Sequence, residues 1–416
     1  MIIGGGAVGL CCALELSRAG LGVTLLERGL CGEATSKGNA GWIIPATTTP
    51  VGTPEVRRHA LKWLLRRDSP TRIGLRADPD FIRWGLRFWR DSAPARYRHS
   101  LAAMLAFNRD TLALYDRLHA TEGLDFEMRS GKFLFTALGQ AELDHDREQL
   151  DTLAAMGYED FAEHENYNAR ELRDIEPAVS DAVVGGIRLP ASRQVRPDNL
   201  CAGLKRYLEQ QANVELREQT AVRRLERRGN AWRADTPAGP VEADRVVVAA
   251  GLWSRPLLAP LGLHLPLQGA RGVSITAAGE GTRPVYSLKL GEAQVACHSF
   301  DTETRLSGTW DLVGNDAVFN PARLRAVIRA AQPYLRDWRP TNPSLEWAGL
   351  RPSTPDSLPV IGPAPRHEGL YLATGHGMFG VTYAPATAQA IKRLLADDDA
   401  PPEIAPFGLE RWPQTA

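Results

Sequence analysis

The apolar positions near the N-terminus follow a strand–helix–strand pattern. A short apolar run at residues 1–3 predicts a buried strand, residues 8–19 have helical spacing, and residues 23–26 predict a second buried strand. Regular alternation of strands and helices does not continue beyond this unit. Residues 30–55 are rich in loop-forming residues, and residues 57–122 carry the pattern of several helices. The chain therefore begins as a βαβ unit and continues less regularly.

Further along, clusters of strands are separated by helices. Strands are predicted at residues 132–136, 214–217, 221–226, 232–234, 245–250 and 370–373, and helices at residues 139–156, 198–211, 321–334 and 384–395. Residues 272–312 contain four segments with the alternation or β-branched content of antiparallel strands. This order predicts an α/β fold in which one discontinuous domain has a parallel sheet. The inserted segments would build a second domain with a mixed or antiparallel sheet.

A glycine-rich turn joins the first predicted strand to the first predicted helix. Gly4, Gly6 and Gly9 have G-x-G-x-x-G spacing, in which the first permits the tight turn, the second admits a pyrophosphate, and the third allows close helix packing. The following helix would direct its N–H groups and positive dipole end at the diphosphate. Glu27 ends the second strand, 18 residues after Gly9, where a carboxylate binds an adenosine ribose. Together these features predict a dinucleotide site.

Composition limits the classes of protein to which the chain can belong. With 416 residues it exceeds the size of a single core, so we expect two domains. Its 49 Lys and Arg residues balance 49 Asp and Glu residues, which argues against a nucleic-acid partner. Its five cysteines lack C-x-x-C spacing, which favours a reducing compartment and argues against a metal site. Without a signal-peptide pattern or an 18-residue apolar stretch, we expect a cytoplasmic protein.

One segment departs from this neutral balance. Between residues 57 and 98 lie twelve Arg or Lys residues against four Asp residues, interleaved with aromatic residues. Within it, helical spacing places Phe81, Trp84 and Phe88 near one face and arginines on the others. One interpretation is a basic helix whose aromatic residues pack into the core. The other is an interfacial helix that contacts anionic lipid at a membrane surface.

Four separated motifs carry more specific information. They are GGGAVGL…LLER at residues 4–28, ATSKGNAGWIIP at 34–45, RVVVAAGLWS at 245–254, and WAGLRPSTPDSLPVIG at 347–362 followed by ATGHGMFGVT at 373–382. These motifs resemble those of the FAD-dependent amine oxidoreductases of the D-amino-acid oxidase type. The resemblance spans nearly the whole chain. The first motif is the least specific of the four and the C-terminal motif the most specific.

The resemblance implies FAD as cofactor and a Rossmann-like FAD-binding domain. This domain would comprise residues 1–50, 193–265 and 345–416, and a substrate-binding domain with a helical insertion would comprise residues 51–192 and 266–344. The predicted cofactor residues, most of them on the glycine-rich turns and loops of these motifs, are Gly4, Gly6, Ala7, Val8, Gly9, Glu27, Arg28, Ser36, Asn39, Ala40, Gly41, Val222, Ala250, Gly251, Trp253, Gly375, Gly377, Gly380, Val381 and Thr382. The turn at residues 375–380 would favour the negative charge of a reduced flavin through its N–H groups and helix dipole.

The resemblance also implies that Arg351 binds the carboxylate of the substrate. Pro352 restrains the backbone just after it, and the planar guanidinium matches a carboxylate with two hydrogen bonds. Further candidates for the substrate side, each of which could equally be a packing or surface residue, are Tyr286, Lys289, His298 and Trp310 on predicted strands. His376 in the glycine turn is another candidate, either as a catalytic base or as a structural residue of the flavin loop. We predict no fixed acid–base pair, because hydride can leave the substrate Cα once the amine is neutral. Water would then hydrolyse the imine to a 2-oxo acid and ammonia.

The implied activity is the oxidative deamination of D-amino acids. Residues 46–100, with the motif ALKWLLRRDSP, look more like the dehydrogenase branch, whose electrons pass to a quinone or another carrier. Such an enzyme would lie in the cytoplasm and contact the inner face of the plasma membrane. The alternatives are an amino- or imino-acid oxidase that uses oxygen, and a dehydrogenase of D-proline or D-hydroxyproline. A non-catalytic flavoprotein subunit and, more weakly, a nicotinamide dehydrogenase are rivals from other classes.

Overall fold

A computed structural model describes residues 1–58, 71–74, 76–312, 314 and 318–414. The motif ALKWLLRRDSP, at residues 60–70, lies outside the described residues. Within the described ranges, no helix is both long enough and apolar enough to cross a bilayer.

The strands of the described residues are numbered in chain order. They are β1 Ile2–Ile3, β2 Val23–Leu26, β3 Trp42–Ile43, β4 Thr71–Ile73, β5 Met128–Ser130, β6 Phe133–Ala137, β7 Glu165–Asn168, β8 Gly185–Arg188, β9 Arg193–Val195, β10 Val214–Arg217, β11 Arg224–Arg228, β12 Ala231–Thr236, β13 Gly239–Ala243, β14 Val246–Val248, β15 Gln268–Ala277, β16 Ser287–Leu290, β17 Val295–Ser299, β18 Thr304–Leu312, β19 Leu345–Ser353, β20 Val360–Pro363 and β21 Leu370–Thr374.

The helices are numbered in the same way. They are α1 Ala7–Arg18, α2 Pro79–Asp91, α3 Pro94–Asn108, α4 Thr111–His119, α5 Gln140–Ala155, α6 Ala169–Ile175, α7 Pro197–Glu209, α8 Ser254–Leu258, α9 Pro321–Ala331 and α10 Gly380–Ala396.

A six-stranded sheet in the order β10-β2-β1-β14-β21-β20 forms the first layer. All neighbours are parallel except β20 and β21. The two-residue strand β1 is central, with Ile2 opposite Leu25 on one side and Val247 on the other. Because parallel strands end at the same edge, the turns after β1, β14 and β21 meet there. Three distant segments of the chain therefore supply one edge of this sheet.

The second layer is a larger mixed sheet in the order β19-β15-β18-β17-β16-β6-β8-β7, with β4 beside β18. Its pairs are antiparallel except β16 with β6 and β18 with β4. All ten residues of β15 are buried, so this strand lies at the centre of the molecule. The α/β class with one parallel and one mixed sheet is confirmed.

We propose that the predicted segments form the two domains, except that the predicted boundary at residue 345 falls at the start of a strand of the mixed sheet. β19 pairs with β15 along nine residues in the mixed sheet, although the predicted boundary assigns residues 345–353 to the cofactor domain. A single continuous strand thus extends from the mixed sheet to the edge of the parallel one.

Two predicted elements have different bounds in the structure. The prediction of a strand at residues 221–226 is wrong at its start: β11 begins at Arg224, and residues 220–223 line a cavity instead. A helix was predicted from residue 384, but α10 begins at Gly380, directly after the glycine turn. Since α10 packs against α1, the N-termini of both helices lie close to the same sheet edge.

Candidate cofactor and substrate site

A cavity of about 390 Å³ lies where the turns after β1, β14 and β21 meet. Most predicted cofactor residues line it, namely Gly4, Gly6, Ala7, Val8, Glu27, Arg28, Ser36, Asn39, Val222, Ala250, Gly251, Trp253, Gly377, Gly380 and Val381. Five others do not line it: Gly9, Ala40, Gly41, Gly375 and Thr382. The cavity therefore brings together residues from all four sequence motifs.

In the first glycine turn, neighbouring backbone atoms lie so close that a side chain would not fit. Gly4 has φ of +112°, and a Cβ there would lie 2.5 Å from the carbonyl oxygen of Ala249. A Cβ on Gly9 would lie 1.9 Å from the carbonyl oxygen of Gly4. Helix α1 follows directly and has no acidic residue in its first turn. Its positive end is thus open to a phosphate group, as the fingerprint predicted.

The Glu27 carboxylate stands at the end of β2 and lines the cavity. Its two oxygens accept hydrogen bonds from the backbone N–H groups of Gly5, at 2.7 Å, and Gly29, at 2.8 Å. These bonds fix the carboxylate against the glycine turn. An ionised carboxylate has about four acceptor sites, so further sites stay available to ribose hydroxyls.

Replacing Glu27 with alanine tests its assignment to the ribose. We expect Glu27→Ala to weaken FAD binding by about 1.5–3 kcal/mol, the contribution of hydrogen bonds to a charged group. Titration of the apoprotein with FAD, followed by flavin fluorescence, measures this change. Glu215→Ala, on the neighbouring strand β10, serves as a control because Glu215 pairs with Arg217 at the surface. An unchanged FAD affinity in Glu27→Ala would refute the assignment.

The loop at residues 35–41 connects the parts of the site. Ser36 Oγ accepts a hydrogen bond from the Ala7 N–H group at 3.1 Å. The Asn39 side chain donates to the carbonyl of Met378 at 3.0 Å and accepts from the Gly41 N–H group at 2.8 Å. The first glycine turn, this loop and the turn at residues 375–380 are therefore joined by hydrogen bonds.

The cavity wall also contains residues that the sequence did not reveal. Thr220, Ala221 and Arg223, the neighbours of the predicted Val222, line it together with Pro256 and Leu257 of α8. On the same wall, the guanidinium of Arg28 lies 3.4 Å from the ring centre of Trp253. Thr220, Ala221 and Arg223 belong to no glycine motif, so nothing in their local sequence marks them as cavity residues.

Arg351 lies on β19 beside the cavity, and its neighbour Pro352 lines the wall. The guanidinium donates to the carbonyl of Thr309 at 2.7 Å and lies over Gly272, where a Cβ would be 2.3 Å from Nη1. Burial lowers the pKa of Arg351 to about 10, partly opposed by the charge of Asp311, so the side chain is cationic at neutral pH. Among the described residues, no carboxylate oxygen lies within 4.0 Å of it.

The backbone around Arg351 is unusual at Thr309. Thr309 has φ of +64°, a region that β-branched residues rarely adopt. The pairing of β15 with β18 shifts register between Arg271 and Val273, directly opposite. This irregularity directs the Thr309 carbonyl towards Arg351. Asp311, two residues later, is held by Arg323 at 2.7 and 2.9 Å.

The other predicted substrate residues are dispersed. Trp310 packs on Phe88 of α2, with ring centres 5.8 Å apart, and lines a small crevice that shares Gly377 with the cavity. Tyr286 lies in the apolar core of the mixed sheet and does not line the cavity. Lys289 forms an ion pair with Asp146.

His376 lines the cavity from the C-terminal glycine turn. Its Nε2 lies 3.0 Å from Oγ1 of Thr387 on α10. Burial lowers the pKa of His376 to about 3, so the imidazole is neutral at physiological pH. This arrangement places His376 at the cofactor cavity.

These residues fit FAD. The glycine turn and the N-terminus of α1 suit a diphosphate, and Glu27 lies where an adenosine ribose would bind. The turn at residues 375–380 precedes α10, and the positive end of this helix favours negative charge on a reduced flavin. The cavity therefore offers a binding position for each part of the cofactor.

Comparisons with known proteins agree with this arrangement. A family model described as FAD dependent oxidoreductase matches residues 1–394. A D-amino acid dehydrogenase of Cereibacter sphaeroides is 32% identical over 99% of this chain and 95% of its own. D-amino acid dehydrogenase 2 of Ralstonia nicotianae is 34% identical over 99% of both chains. The solved structure of glycine oxidase from Geobacillus kaustophilus shares the fold, with a TM-score of 0.75 at 20% identity over 99% of this chain and 98% of its own.

The extent of these matches settles the family. The family model covers most of the chain, and two relatives above 30% identity cover nearly all of it. The cofactor predicted from the four motifs, FAD, is confirmed by the family. The chain belongs to the FAD-dependent oxidoreductases of the D-amino-acid oxidase type.

Proposed function

We propose that this protein oxidises the amine of D-amino acids. Two relatives over nearly the whole length are named D-amino acid dehydrogenase. The observation that carries the proposal is Arg351, a half-buried cation beside the cavity with no carboxylate partner among the described residues. A partly buried charge without a partner is destabilising, and the carboxylate of a substrate would neutralise it.

The residues around Arg351 define what the chain contributes to the reaction. Arg351 binds the carboxylate through two parallel hydrogen bonds and thereby fixes the orientation of Cα. Gly272 leaves the space that the guanidinium occupies, and the Thr309 carbonyl holds one of its nitrogens. The aromatic rings of Phe88 and Trp310 narrow the adjacent crevice and limit access of water. Bound FAD supplies the acceptor for the hydride that leaves Cα.

Anaerobic mixing with matched D- and L-amino acids tests this function. We expect D-amino acids to bleach the flavin absorbance and the L-enantiomers to leave it unchanged. Bleaching only by L-amino acids, or by no amino acid, would overturn the proposal and, in the second case, favour a non-catalytic flavoprotein. A panel that includes D-proline distinguishes an imino-acid enzyme. Reoxidation by air compared with a soluble quinone analogue then separates an oxidase from a dehydrogenase.

We further propose that a quinone in the membrane accepts the electrons, with α2 as the membrane contact. Phe81 and Trp84 of this helix are buried, as its aromatic spacing predicted. The opposite side carries Ile82, Leu86 and Trp89, which are 51%, 65% and 51% exposed and lie four and three residues apart on one face. Arginines flank this face, an arrangement that suits an anionic lipid surface.

Vesicle binding tests this contact. We expect the protein to sediment with vesicles that contain anionic lipid and to dissociate as salt is added. Leu86→Glu should weaken binding to the vesicles about ten-fold or more, because it removes a leucine that the lipid would bury on contact. Met156→Glu is the matched control, since Met156 is also exposed but lies after α5. Equal binding by Leu86→Glu and the wild type would exclude α2 as the contact.

A further inference from the structure

Trp347 begins the C-terminal motif but was not among the predicted site residues. It lies on β19, four residues before Arg351, with Gly349 between them. Alternate residues of a strand point to the same face, so Trp347, Gly349 and Arg351 form one row on the mixed sheet. In the register with β15, Gly349 lies directly opposite Gly272. This face of the sheet therefore presents a pair of glycines between two large side chains.

Each glycine of this pair lies beneath one of the two large side chains. The Arg351 guanidinium covers Gly272, and the benzo ring of Trp347 covers Gly349, where a Cβ would lie 2.0 Å from the ring carbon Cζ2. Directly opposite positions of an antiparallel pair have Cβ atoms about 4.5–5.5 Å apart. The edge of the indole therefore borders the guanidinium on the same face of the sheet.

The indole is also fixed by the loop at residues 35–41. A Cβ on Gly38 would lie 2.0 Å from the ring carbon Cε3 of Trp347. Neither Gly38 nor Gly349 has a positive φ, so the space that the indole takes, rather than backbone conformation, requires glycine at both positions. The ring is thus held between the loop and β19. A ring confined in this way offers a rigid surface beside the guanidinium.

Trp347 and Arg351 are half-buried, whereas the positions beyond Trp347 on this face are closed. Ser274, which lies opposite Trp347 on β15, is fully buried. In the next row, His298, a predicted substrate residue, lies opposite Arg305, and both are buried as well. The accessible surface on this side of the guanidinium therefore belongs to the indole.

We propose that Trp347 is a specificity-determining residue that contacts the side chain of the substrate and favours apolar side chains. The inference rests on the proposed function, in which Arg351 binds the substrate carboxylate. When a carboxylate pairs with the guanidinium, the adjoining Cα and its side chain come within reach of the indole edge. An aromatic or aliphatic side chain gains by packing on this ring, whereas a charged side chain would lose hydration there.

Phenylacetate and acetate test this contact without a reaction, because each carries a carboxylate and neither has an amine to oxidise. We expect Trp347→Ala holoenzyme to bind phenylacetate about ten-fold more weakly than the wild type and acetate equally well, because only the ring contact is lost. Trp347→Phe keeps an aromatic surface and should restore most of the phenylacetate affinity. Glu346→Ala is the matched control, since Glu346 is exposed on the other face of the same strand. The change in flavin absorbance on titration gives the dissociation constants.

The proposal is overturned if the wild type binds phenylacetate no more tightly than acetate, or if Trp347→Ala weakens both ligands equally. A loss in Trp347→Phe as large as that in Trp347→Ala would also overturn it. If Trp347→Ala does not retain FAD, Trp347→Gln decides, because it keeps bulk between the two glycines and removes the ring. An unchanged ratio of the two dissociation constants in that variant contradicts the contact.

Reduction of the flavin by D-amino acids gives a second measurement. Under anaerobic conditions, we expect the rate of reduction by D-phenylalanine relative to D-alanine to fall about ten-fold in Trp347→Ala. An unchanged or higher ratio would contradict packing on the indole. If no D-amino acid reduces the flavin of the wild type, the proposed function fails, and the comparison of phenylacetate with acetate still decides whether Trp347 contacts the ligand.

Discussion

Arg351→Ala is expected to reduce the rate constant for flavin reduction divided by the substrate dissociation constant by roughly 30-fold to several thousand-fold. This range corresponds to a loss of about 2–5 kcal/mol in binding free energy, the usual cost of removing one partner of a buried charge pair. The loss is large because the substrate carboxylate would be desolvated with no charge to meet it. Arg351→Lys keeps the charge but loses the planar pair of donors, so its loss should be intermediate. Anaerobic stopped-flow mixing with D-amino acids measures both variants.

Two controls separate substrate binding from general damage. The FAD content and visible spectrum of both Arg351 variants should match the wild type, because Arg351 does not line the cofactor cavity. Arg224→Ala, which removes an exposed arginine paired with Glu226, should have no effect on the rate. An amine without a carboxylate should be a poor substrate for the wild type and insensitive to the substitution. If Arg351→Ala reduces the flavin with D-amino acids as well as the wild type does, the carboxylate role is wrong.

The cofactor side of this site was predictable because its determinants are local in the chain. The strand, the three glycines, the helix and Glu27 fall within residues 1–27, and each has a signature that depends only on its neighbours. Although β1 has only two residues, Ile2 and Ile3 pair with β2 and β14 on both sides. The turn at residues 375–380 is similar, because its glycines lead directly into α10.

The environment of Arg351 could not be predicted, because it depends on pairing between strands far apart in sequence. Gly272 matters only because β15 places it beneath the Arg351 guanidinium. Thr309 adopts φ of +64° at a register shift between β15 and β18, and a threonine gives no hint of that conformation. Tertiary pairing, rather than local preference, gives these residues their roles.

Gly9→Ala is expected to be among the most damaging single-methyl changes in the cofactor site. The added Cβ would lie 1.9 Å from the Gly4 carbonyl oxygen and 3.0 Å from its carbonyl carbon, and both contacts are with backbone. Backbone cannot rotate away as a side chain can, so α1 must move off β1. We expect a loss of about 1–3 kcal/mol or more in unfolding free energy, the usual cost of overpacking. The glycine turn would move with the helix, so the purified variant should retain little FAD.

Gly22→Ala provides the matched control for this effect. Gly22 belongs to the same βαβ unit, no heavy atom lies within 4 Å of the position its Cβ would take, and its backbone lies outside the positive-φ region. The same chemical change should therefore leave FAD content unchanged and have little effect on thermal unfolding, or raise it slightly because alanine restricts the unfolded chain. Flavin absorbance per protein and the unfolding midpoint, with and without added FAD, measure both variants. Normal FAD content in Gly9→Ala would show that close packing of α1 on β1 is not what forms the diphosphate site.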